Sequence, residues 1–187
     1  MVNVIEIQKF LTNEECDKII KLGLGVGLQH ATTVYKGDSF SKDIVSDSFN
    51  RRKISYIQNE NLEKVTDITK KIIKKINELK YFNNITYSDI TSYSFNKYSE
   101  GDFLNLHADE HEMVNGATLT IVMELSDDFE GGEFCYIMDD VERKLNKGKG
   151  NMYIFPSTTK HRVTEITKGV RYSFNAWPRM KKTKQLF

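Results

Sequence analysis

The sequence predicts a mostly β protein in which helices pack against the outside of an antiparallel sandwich or barrel. Helical periodicity is confined to the first half of the chain, whereas short aromatic or β-branched segments separated by Gly, Asp and Asn follow Tyr87. A length of 187 residues fits one domain. We therefore expect a single domain over 1–187, with supporting helices and strands over about 1–88 and the core over about 89–180.

Two helices are predicted in the supporting part. Thr12 and Glu15 form a capping box before an apolar-periodic stretch that reaches Leu22, and Gly23 is expected to end this helix. A second helix is predicted over 61–80, because apolar residues recur there at helical spacing. The lysines between them are interpreted as a solvated face, with a nucleic-acid patch as the alternative. These lysines are Lys70, Lys71, Lys74 and Lys75.

The strands are predicted from short segments bounded by turn residues. In the core they cover 89–98, 102–107, 117–125, 133–138, 150–155, 160–166 and 170–177. Two early segments, 2–7 and 53–58, could add strands. The polar stretch 30–50 has few structural signals, so we expect a long mobile loop, beginning near residue 26, that acts as a lid.

The balance of charges excludes a general electrostatic grip on nucleic acid or on an anionic membrane. Lys and Arg number 27 and Asp and Glu number 26, which gives a formal net charge of +1. No apolar run approaches the ~18 residues of a membrane span, and residues 1–11 lack the features of a signal peptide. Cys16 and Cys135 are expected to be reduced thiols, because two cysteines cannot make a disulfide framework. These observations favour a soluble cytoplasmic protein.

The strongest local signal for chemistry is His107-Ala108-Asp109, with His161 further along the chain. On an extended strand, positions 107 and 109 project from the same face. Two imidazoles and one carboxylate can occupy one face of an octahedron and leave three positions open, which is the arrangement of non-haem Fe(II) oxygenases. A His-x-Asp tripeptide alone is common by chance, so this interpretation depends on the sequence downstream.

The last predicted strand indicates a polar interior. Arg171, Ser173 and Asn175 alternate along it with Tyr172 and Phe174. If the two aromatic residues pack under the helices, the polar residues point into the interior of the sheet. A buried Arg needs an anionic partner, and no acidic residue on this strand supplies one, so a bound carboxylate is a candidate. The alternative is the reverse register, with Arg171 at the surface.

Several motifs in a fixed order make the chain similar to one family. They are Tyr98-Ser-Glu-Gly-Asp-Phe103 before His107-Ala-Asp109, Leu125-Ser-Asp127, Gly131-Gly-Glu133, Phe155-Pro-Ser157 and the stretch from His161 to Trp177. The opening Phe10-Leu-Thr-Asn-Glu-Glu-Cys16 matches the usual first helix of that family. Over nearly the whole chain, apart from 24–50, the sequence resembles the prolyl-4-hydroxylase-like oxygenases.

The resemblance implies a double-stranded β-helix, also called a jelly roll, that binds Fe(II) and 2-oxoglutarate. His107, Asp109 and His161 would be the iron ligands. Arg171 would pair with the distal carboxylate of the cosubstrate, and we count it with the ligands as catalytic. Two more cosubstrate contacts are implied: a hydrogen bond from Ser173 and one from the hydroxyl of Tyr98.

On the substrate side, the resemblance implies that Trp177 lines the pocket of the target proline, with Arg51 and Arg52 near the channel. The implied reaction hydroxylates a peptidyl proline, consumes O₂ and 2-oxoglutarate, and releases succinate and CO₂, with ascorbate as a supporting reductant. The expected partner is a proline-containing protein or peptide, rather than a membrane or a nucleic acid, and a monomer is favoured. The alternatives are the same chemistry on another side chain, a free amino acid or a nucleobase, and a non-catalytic metal-binding interaction module.

Two residues depart from the family pattern. Glu124 stands where several prolyl hydroxylases carry a cosubstrate-binding Tyr, so we expect its carboxylate to point elsewhere or to contact a cation. Ala117 occupies a place where relatives often have an Arg near the substrate. His111 follows His107 by one helical turn, but the surrounding pattern favours strand and loop, so we expect it to be exposed.

Overall fold

The computed structural model of the chain describes residues 4–31, 50–80, 85–109 and 119–181. Most of the predicted lid, together with His111 and Ala117, lies outside these ranges. Within them, no helix combines the length and the apolar character that crossing a bilayer requires.

The helices lie in the first half of the chain, and the strands follow the predicted segments with a few additions. The helices are α1 (Asn13–Val26), a 3₁₀ helix (Asn59–Val65) and, directly after it, α2 (Thr66–Leu79). The first strands are β1 (Ile5–Ile7), β2 (Gln29–His30), β3 (Lys53–Gln58), β4 (Tyr87–Asp89), β5 (Ser92–Tyr98), β6 (Leu104–His107) and β7 (Leu119–Glu124). The others are β8 (Glu130–Gly131), β9 (Phe134–Met138), β10 (Val141–Lys144), β11 (Met152–Pro156), β12 (His161–Val163), β13 (Ile166–Lys168), β14 (Arg171–Ala176) and β15 (Arg179–Met180).

The described strands form two main antiparallel sheets. The major sheet has the order β1-β11-β7-β14-β5-β3-β2, and the minor sheet has the order β10-β9-β12-β6. Two short pairs, β13 with β8 and β15 with β4, complete the arrangement. Strands that are far apart in sequence are therefore neighbours in space, as a jelly roll requires.

The outer face of the major sheet packs against the two α-helices. On α2, Ile68, Ile72 and Ile76 recur at four-residue steps and are buried in one apolar cluster with Phe95 of β5 and Phe174 of β14. This spacing places the three isoleucines on one face of the helix. The predicted placement of helices outside a β core is confirmed.

The inner face of the major sheet faces the minor sheet across a second apolar cluster. Val122 and Phe155 come from the major sheet, and Phe134 and Val163 come from the minor sheet. The rings of Phe134 and Phe155 approach to 5.8 Å between centroids. Side chains alternate along a strand, so those of β7 point in turn toward the helices and toward the minor sheet. Both faces are covered, and every residue of β7 is therefore buried.

The Gly131-Gly132 motif marks a close approach of two backbones. Gly131 has a φ of +69°, and a Cβ atom there would lie 2.2 Å from the carbonyl oxygen of Glu165. A side chain is therefore excluded on both conformational and steric grounds. The motif holds β8 against β13, whose preceding strand, β12, carries His161.

Candidate functional site

Three candidate metal ligands converge at the edge of the minor sheet. His107 is the last residue of β6 and His161 is the first residue of β12, and their Cα atoms are directly paired across the two strands. Asp109 follows two positions later, and its backbone N–H donates to the carbonyl oxygen of Ser157 at 2.9 Å. One candidate donor atom from each residue lies within 4.8 Å of the other two.

Both imidazoles are oriented by backbone carbonyl groups. Nδ1 of His107 lies 2.9 Å from the carbonyl oxygen of Asn105, and Nδ1 of His161 lies 2.9 Å from that of Thr159. A proton on each Nδ1 satisfies these contacts and leaves Nε2 as the metal-binding nitrogen. The two Nε2 atoms lie 3.4 Å and 3.8 Å from the Asp109 carboxylate.

The carboxylate of Asp109 is buried and held by two further side chains. The hydroxyl of Thr120 donates to Oδ2 at 2.9 Å, and the indole N–H of Trp177 donates to the same oxygen at 3.3 Å. Burial alone would raise the pKa of Asp109, but the two imidazoles and Thr120 outweigh it and hold that pKa below its usual range. Asp109 is therefore ionised at neutral pH, as a ligand must be.

His161 is neutral at physiological pH. Burial lowers its pKa to about 4, although the Asp109 carboxylate opposes this change. Its ring packs against those of Phe134 and Phe155, with centroids 5.4 Å and 5.0 Å away. A neutral imidazole is the form that binds a metal.

The donor set fits a divalent iron ion. Two imidazole nitrogens and one carboxylate oxygen can occupy one face of an octahedron, with three positions left for other ligands. The hydrogen bonds to Nδ1 and to Asp109 supply the outer orientation that such ligands need. His107, Asp109 and His161 are therefore the residues that would hold Fe(II).

A cavity of about 310 Å³ opens beside these ligands, between the two sheets. Its lining combines apolar residues such as Val122 and Leu104 with polar residues of the major sheet. Among the described residues, four buried side-chain polar atoms lack a hydrogen-bond partner, and three of these four residues line the cavity. The four atoms are Nη1 of Arg52, Oε1 of Glu124, Nη1 of Arg171 and Oδ1 of Asn175. Unpaired buried polar atoms are costly, so their concentration here indicates a site for a polar ligand.

The register of β14 is the predicted one. Phe174 is buried under the helices, while Arg171, Ser173 and Asn175 line the cavity. The reverse register, which would have placed Arg171 at the surface, is wrong, because Arg171 is fully buried.

Arg171 nevertheless has an anionic partner within the protein, on the neighbouring strand β7. Its Nε and Nη2 atoms donate to Oε2 of Glu124 at 3.2 Å and 2.8 Å. The sequence argument that Arg171 lacks a protein anion considered only its own strand and is corrected by this contact. The expectation that Glu124 contacts a cation is met, and the cation is Arg171 itself.

The other predicted cosubstrate residues lie around Arg171. Tyr98 of β5 is paired with Arg171 across the sheet, and its ring centroid lies 5.1 Å from the guanidinium carbon. Ser173 is buried and stands beside Glu124 in the β14–β7 register. Both residues line the cavity, so the structure brings the predicted set together in one place.

Of the three predicted substrate residues, Trp177 and Arg52 line the cavity and Arg51 does not contribute to the described lining. Trp177 lines the cavity and also holds Asp109, a contact that the sequence did not predict. Arg52 lines the cavity, and its Nε donates to Oδ1 of Asn96 at 2.9 Å. Arg51 is exposed, with its guanidinium 5.8 Å from the ring centroid of Phe103, and it does not contribute to the described lining.

Sequence reasoning missed Thr120 and the pairing of Glu124 with Arg171. The signal available for both was alternation along β7, since positions 120, 122 and 124 share the face opposite to the helices, and Val122 on that face lines the cavity. Applied to this strand, the argument used for β14 would have placed a hydroxyl and a carboxylate beside the site.

The jelly roll and its triad of two His and one Asp, of which Asp109 and His161 are buried, define a non-haem Fe(II) type of site. Residues 93–179 match the model of the 2OG-Fe(II) oxygenase superfamily. This segment contains the three candidate iron ligands and Arg171, and the resemblance to prolyl-4-hydroxylase-like oxygenases is confirmed.

The chain is also similar to curated PKHD-type hydroxylases. It is 33% identical over 88 residues to one from Idiomarina loihiensis, across 45% of this chain and 40% of that protein. It is 36% identical over 86 residues to one from Prochlorococcus marinus, across 44% of this chain and 39% of that protein. The matches thus span about two fifths of the length of these relatives.

Solved prolyl hydroxylases share the fold over almost the whole chain. A Pseudomonas putida prolyl-4-hydroxylase superposes with a TM-score of 0.71 and 17% identity, covering 95% of this chain and 92% of the other. A Trichoplax adhaerens prolyl hydroxylase, in complex with a peptide fragment of the hypoxia inducible factor oxygen degradation domain, gives 0.76 and 15%, covering 96% and 84%. The predicted jelly-roll fold is therefore confirmed.

Proposed function

We propose that this chain hydroxylates a peptidyl proline in a reaction that depends on Fe(II) and 2-oxoglutarate and releases succinate and CO₂. The observation that carries the proposal is the triad of His107, Asp109 and His161, which opens onto a cavity also lined by Arg171. Bound Fe(II) would activate O₂ and couple decarboxylation of the cosubstrate to oxidation of a C–H bond.

The residues of the chain prepare this chemistry by holding the ligands and limiting water. Thr120 and Trp177 fix the Asp109 carboxylate, so that the metal site is oriented before the ion binds. Apolar residues such as Phe134 and Val122 line the cavity next to the ligands. A partly apolar lining excludes bulk water, which protects a strong oxidant from side reactions.

The cosubstrate would lie between the triad and the polar strand β14. Arg171 offers Nη1, which has no hydrogen-bond partner among the described residues, and Ser173 and Tyr98 stand on the same lining. These three residues are the proposed contacts of 2-oxoglutarate. Trp177 and Arg52, which also line the cavity, are the proposed substrate contacts, while Arg51 lies further out over Phe103.

Proline as the target is supported by the solved neighbours that are prolyl hydroxylases, one of them in complex with a peptide. Because the chain spans only about two fifths of its curated relatives, the peptide partner is part of the proposal.

The test combines the protein with Fe(II), ascorbate, 2-oxoglutarate and proline-rich peptides in air. Mass spectrometry should find one added oxygen on proline, together with an equal amount of succinate, and the Asp109→Ala variant should give neither. Oxidation confined to another residue, or to a free amino acid or nucleobase in parallel assays, would replace the proline assignment. Metal binding without succinate release under any of these conditions would favour a non-catalytic interaction module.

A further inference from the structure

The contact between Glu124 and Arg171 reduces both the N–H donors and the net positive charge that Arg171 presents to a ligand in the cavity. Both side chains are almost completely buried, with 3% and 1% of their surface exposed. A single oxygen, Oε2 of Glu124, accepts from both Nε and Nη2 of Arg171. The edge of the guanidinium formed by these two nitrogens, which could hold a carboxylate through two parallel bonds, is thus already occupied.

The charge of Arg171 is also already balanced. A second carboxylate brought beside this pair would leave two negative charges and one positive charge in a place with little water. An added anion would therefore meet repulsion from Glu124, while the N–H groups of Arg171 left to donate to it are those of Nη1 and the second one of Nη2.

A neutral hydrogen-bond acceptor meets neither obstacle. It can accept from Nη1 of Arg171, which has no partner among the described residues, without adding charge. A carboxamide has an acceptor oxygen with the same reach as a carboxylate, and it carries no charge.

We propose that Glu124 determines the cosubstrate selectivity of this cavity, which accepts a 2-oxo acid with a neutral distal group, such as a carboxamide, about as well as one with a distal carboxylate. The inference rests on the proposed function, because it assumes that the 2-oxo acid group of the ligand binds at the metal ion held by the triad. Glu124 thereby becomes a specificity-determining residue that stands where several prolyl hydroxylases carry a Tyr.

A matched pair of inert ligands tests this inference. N-oxalylglycine carries a distal carboxylate, and N-oxalylglycinamide is the same molecule with a distal carboxamide. Zn²⁺ replaces Fe(II), since it binds the same donor types and has no redox chemistry. Binding is followed by calorimetry and by the fluorescence of Trp177, which is the one tryptophan of the sequence and lines the cavity.

The wild-type protein should bind the two ligands with dissociation constants within tenfold of each other. Glu124→Gln should tighten binding of the carboxylate ligand at least tenfold and change the carboxamide ligand by less than threefold. The control is Glu142→Gln, which neutralises an exposed Glu paired with Arg162 through bonds of 2.7 Å and 2.8 Å and should alter neither constant. Glu124→Met, also uncharged, is the second variant should the Gln variant fail to fold.

Two results would overturn the inference. One is a wild-type preference for the carboxylate above tenfold, which would mean that Arg171 or Arg52 still supplies a net positive charge to the ligand. The other is an unchanged or weaker affinity for the carboxylate in both folded Glu124 variants. If neither ligand binds to the zinc-loaded protein, the proposed function fails along with the inference. If both bind but Glu124 has no effect, the inference alone fails.

Discussion

At the scale of single residues, Asp109 links the metal site to the rest of the molecule. Its backbone is tied to Ser157, its Oδ2 atom accepts from Thr120 and Trp177, and both oxygens face the imidazoles. Because hydrogen bonds to the charged form favour ionisation, this arrangement keeps the carboxylate ready for a cation. Loss of any partner should therefore be seen first in metal affinity.

Substitutions at this site should have graded effects on metal binding. Thr120→Val should weaken Fe(II) or Mn²⁺ binding by ~10–100-fold, as is typical for an outer hydrogen-bond partner, and Asp109→Ala should weaken it further. Calorimetric titration measures the affinity, and circular dichroism checks the fold. His30→Ala, an exposed His on β2, is the control. Wild-type affinity in the Asp109 variant would exclude the triad as the metal site.

The buried pair of Arg171 and Glu124 should be strongly coupled in stability. Arg171→Met alone should lower the free energy of unfolding by about 3–5 kcal/mol, because it leaves the Glu124 carboxylate buried without its partner. The double variant with Glu124→Met should recover most of that loss. Urea unfolding of the wild type, both single variants and the double variant forms the cycle that measures the coupling. Additive losses would contradict it.

The residues of the site could be predicted from the sequence only where a short motif, or the alternation of polar and apolar side chains along a strand, identifies them. His107, Asp109 and the inward face of β14 follow from period-two reasoning and from the motifs. The contact between Glu124 and Arg171 could not be found on one strand, because it depends on β7 and β14 being neighbours in the major sheet. Strand order is a property of the whole fold.

At the scale of elements, helix α1 meets the major sheet at a glycine. A Cβ atom at Gly23 would lie 2.2 Å from Cγ of Phe95, so the helix backbone can approach the ring only where no side chain is present. Ser55 reinforces this contact by donating its hydroxyl to the carbonyl oxygen of Gly23 at 2.9 Å. A Cβ atom at Gly25, two residues further along α1, would meet no atom within 4 Å.

Two alanine substitutions in α1 should therefore have opposite effects. Gly23→Ala should lower the free energy of unfolding by about 1–3 kcal/mol through overpacking against Phe95. Gly25→Ala should raise it by up to about 1 kcal/mol, since Ala is the better helix former and meets no atom. Chemical denaturation of both variants gives the comparison. Equal effects would show that the contact with Phe95 is unimportant.

Gly23 also explains why the predicted end of the first helix is wrong. The capping box of Thr12 and Glu15 is present, with bonds of 2.8 Å and 3.2 Å, but α1 continues past Gly23 to Val26. Local propensity predicts a stop at this glycine, whereas tertiary packing uses it as a contact point. The second helix likewise divides into a 3₁₀ segment over Asn59–Val65 and the α-helix Thr66–Leu79.

The short strands show a related limit of sequence reasoning. The strand predicted over 53–58 agrees with β3, and that over 170–177 contains β14. The two-residue strands β2, β8 and β15 were not predicted. Strands of this length carry no periodic signal and exist only through their partners.

At the scale of the whole molecule, the site joins parts that fold from distant stretches of sequence. The triad belongs to the minor sheet and the residues that follow β6, whereas Arg171 and Tyr98 belong to the major sheet.

Metal binding should stabilise the folded protein by mass action. The three ligands converge only in the folded state, so an ion present at a hundred times its dissociation constant should add about 2.7 kcal/mol. For a chain of this size, that corresponds to a rise in Tm of about 2–4 °C per kcal/mol. Thermal unfolding with Mn²⁺, and then with a chelator, measures the shift. Asp109→Ala should abolish it, and an equal shift in that variant would indicate a different site.

The direct pairing of His107 with His161 has a consequence for handling the protein without metal. Among the described strands, β6 is an edge strand of the minor sheet, so a bound ion would cross-link this edge strand to β12. The outer edge of this strand is bridged by Asn50 at Leu104, and removing the ion would loosen the strand enough for its edge to pair with another chain. Storage in chelating buffers should therefore promote slow self-association, and adding metal back before concentration should prevent it, as light scattering can record.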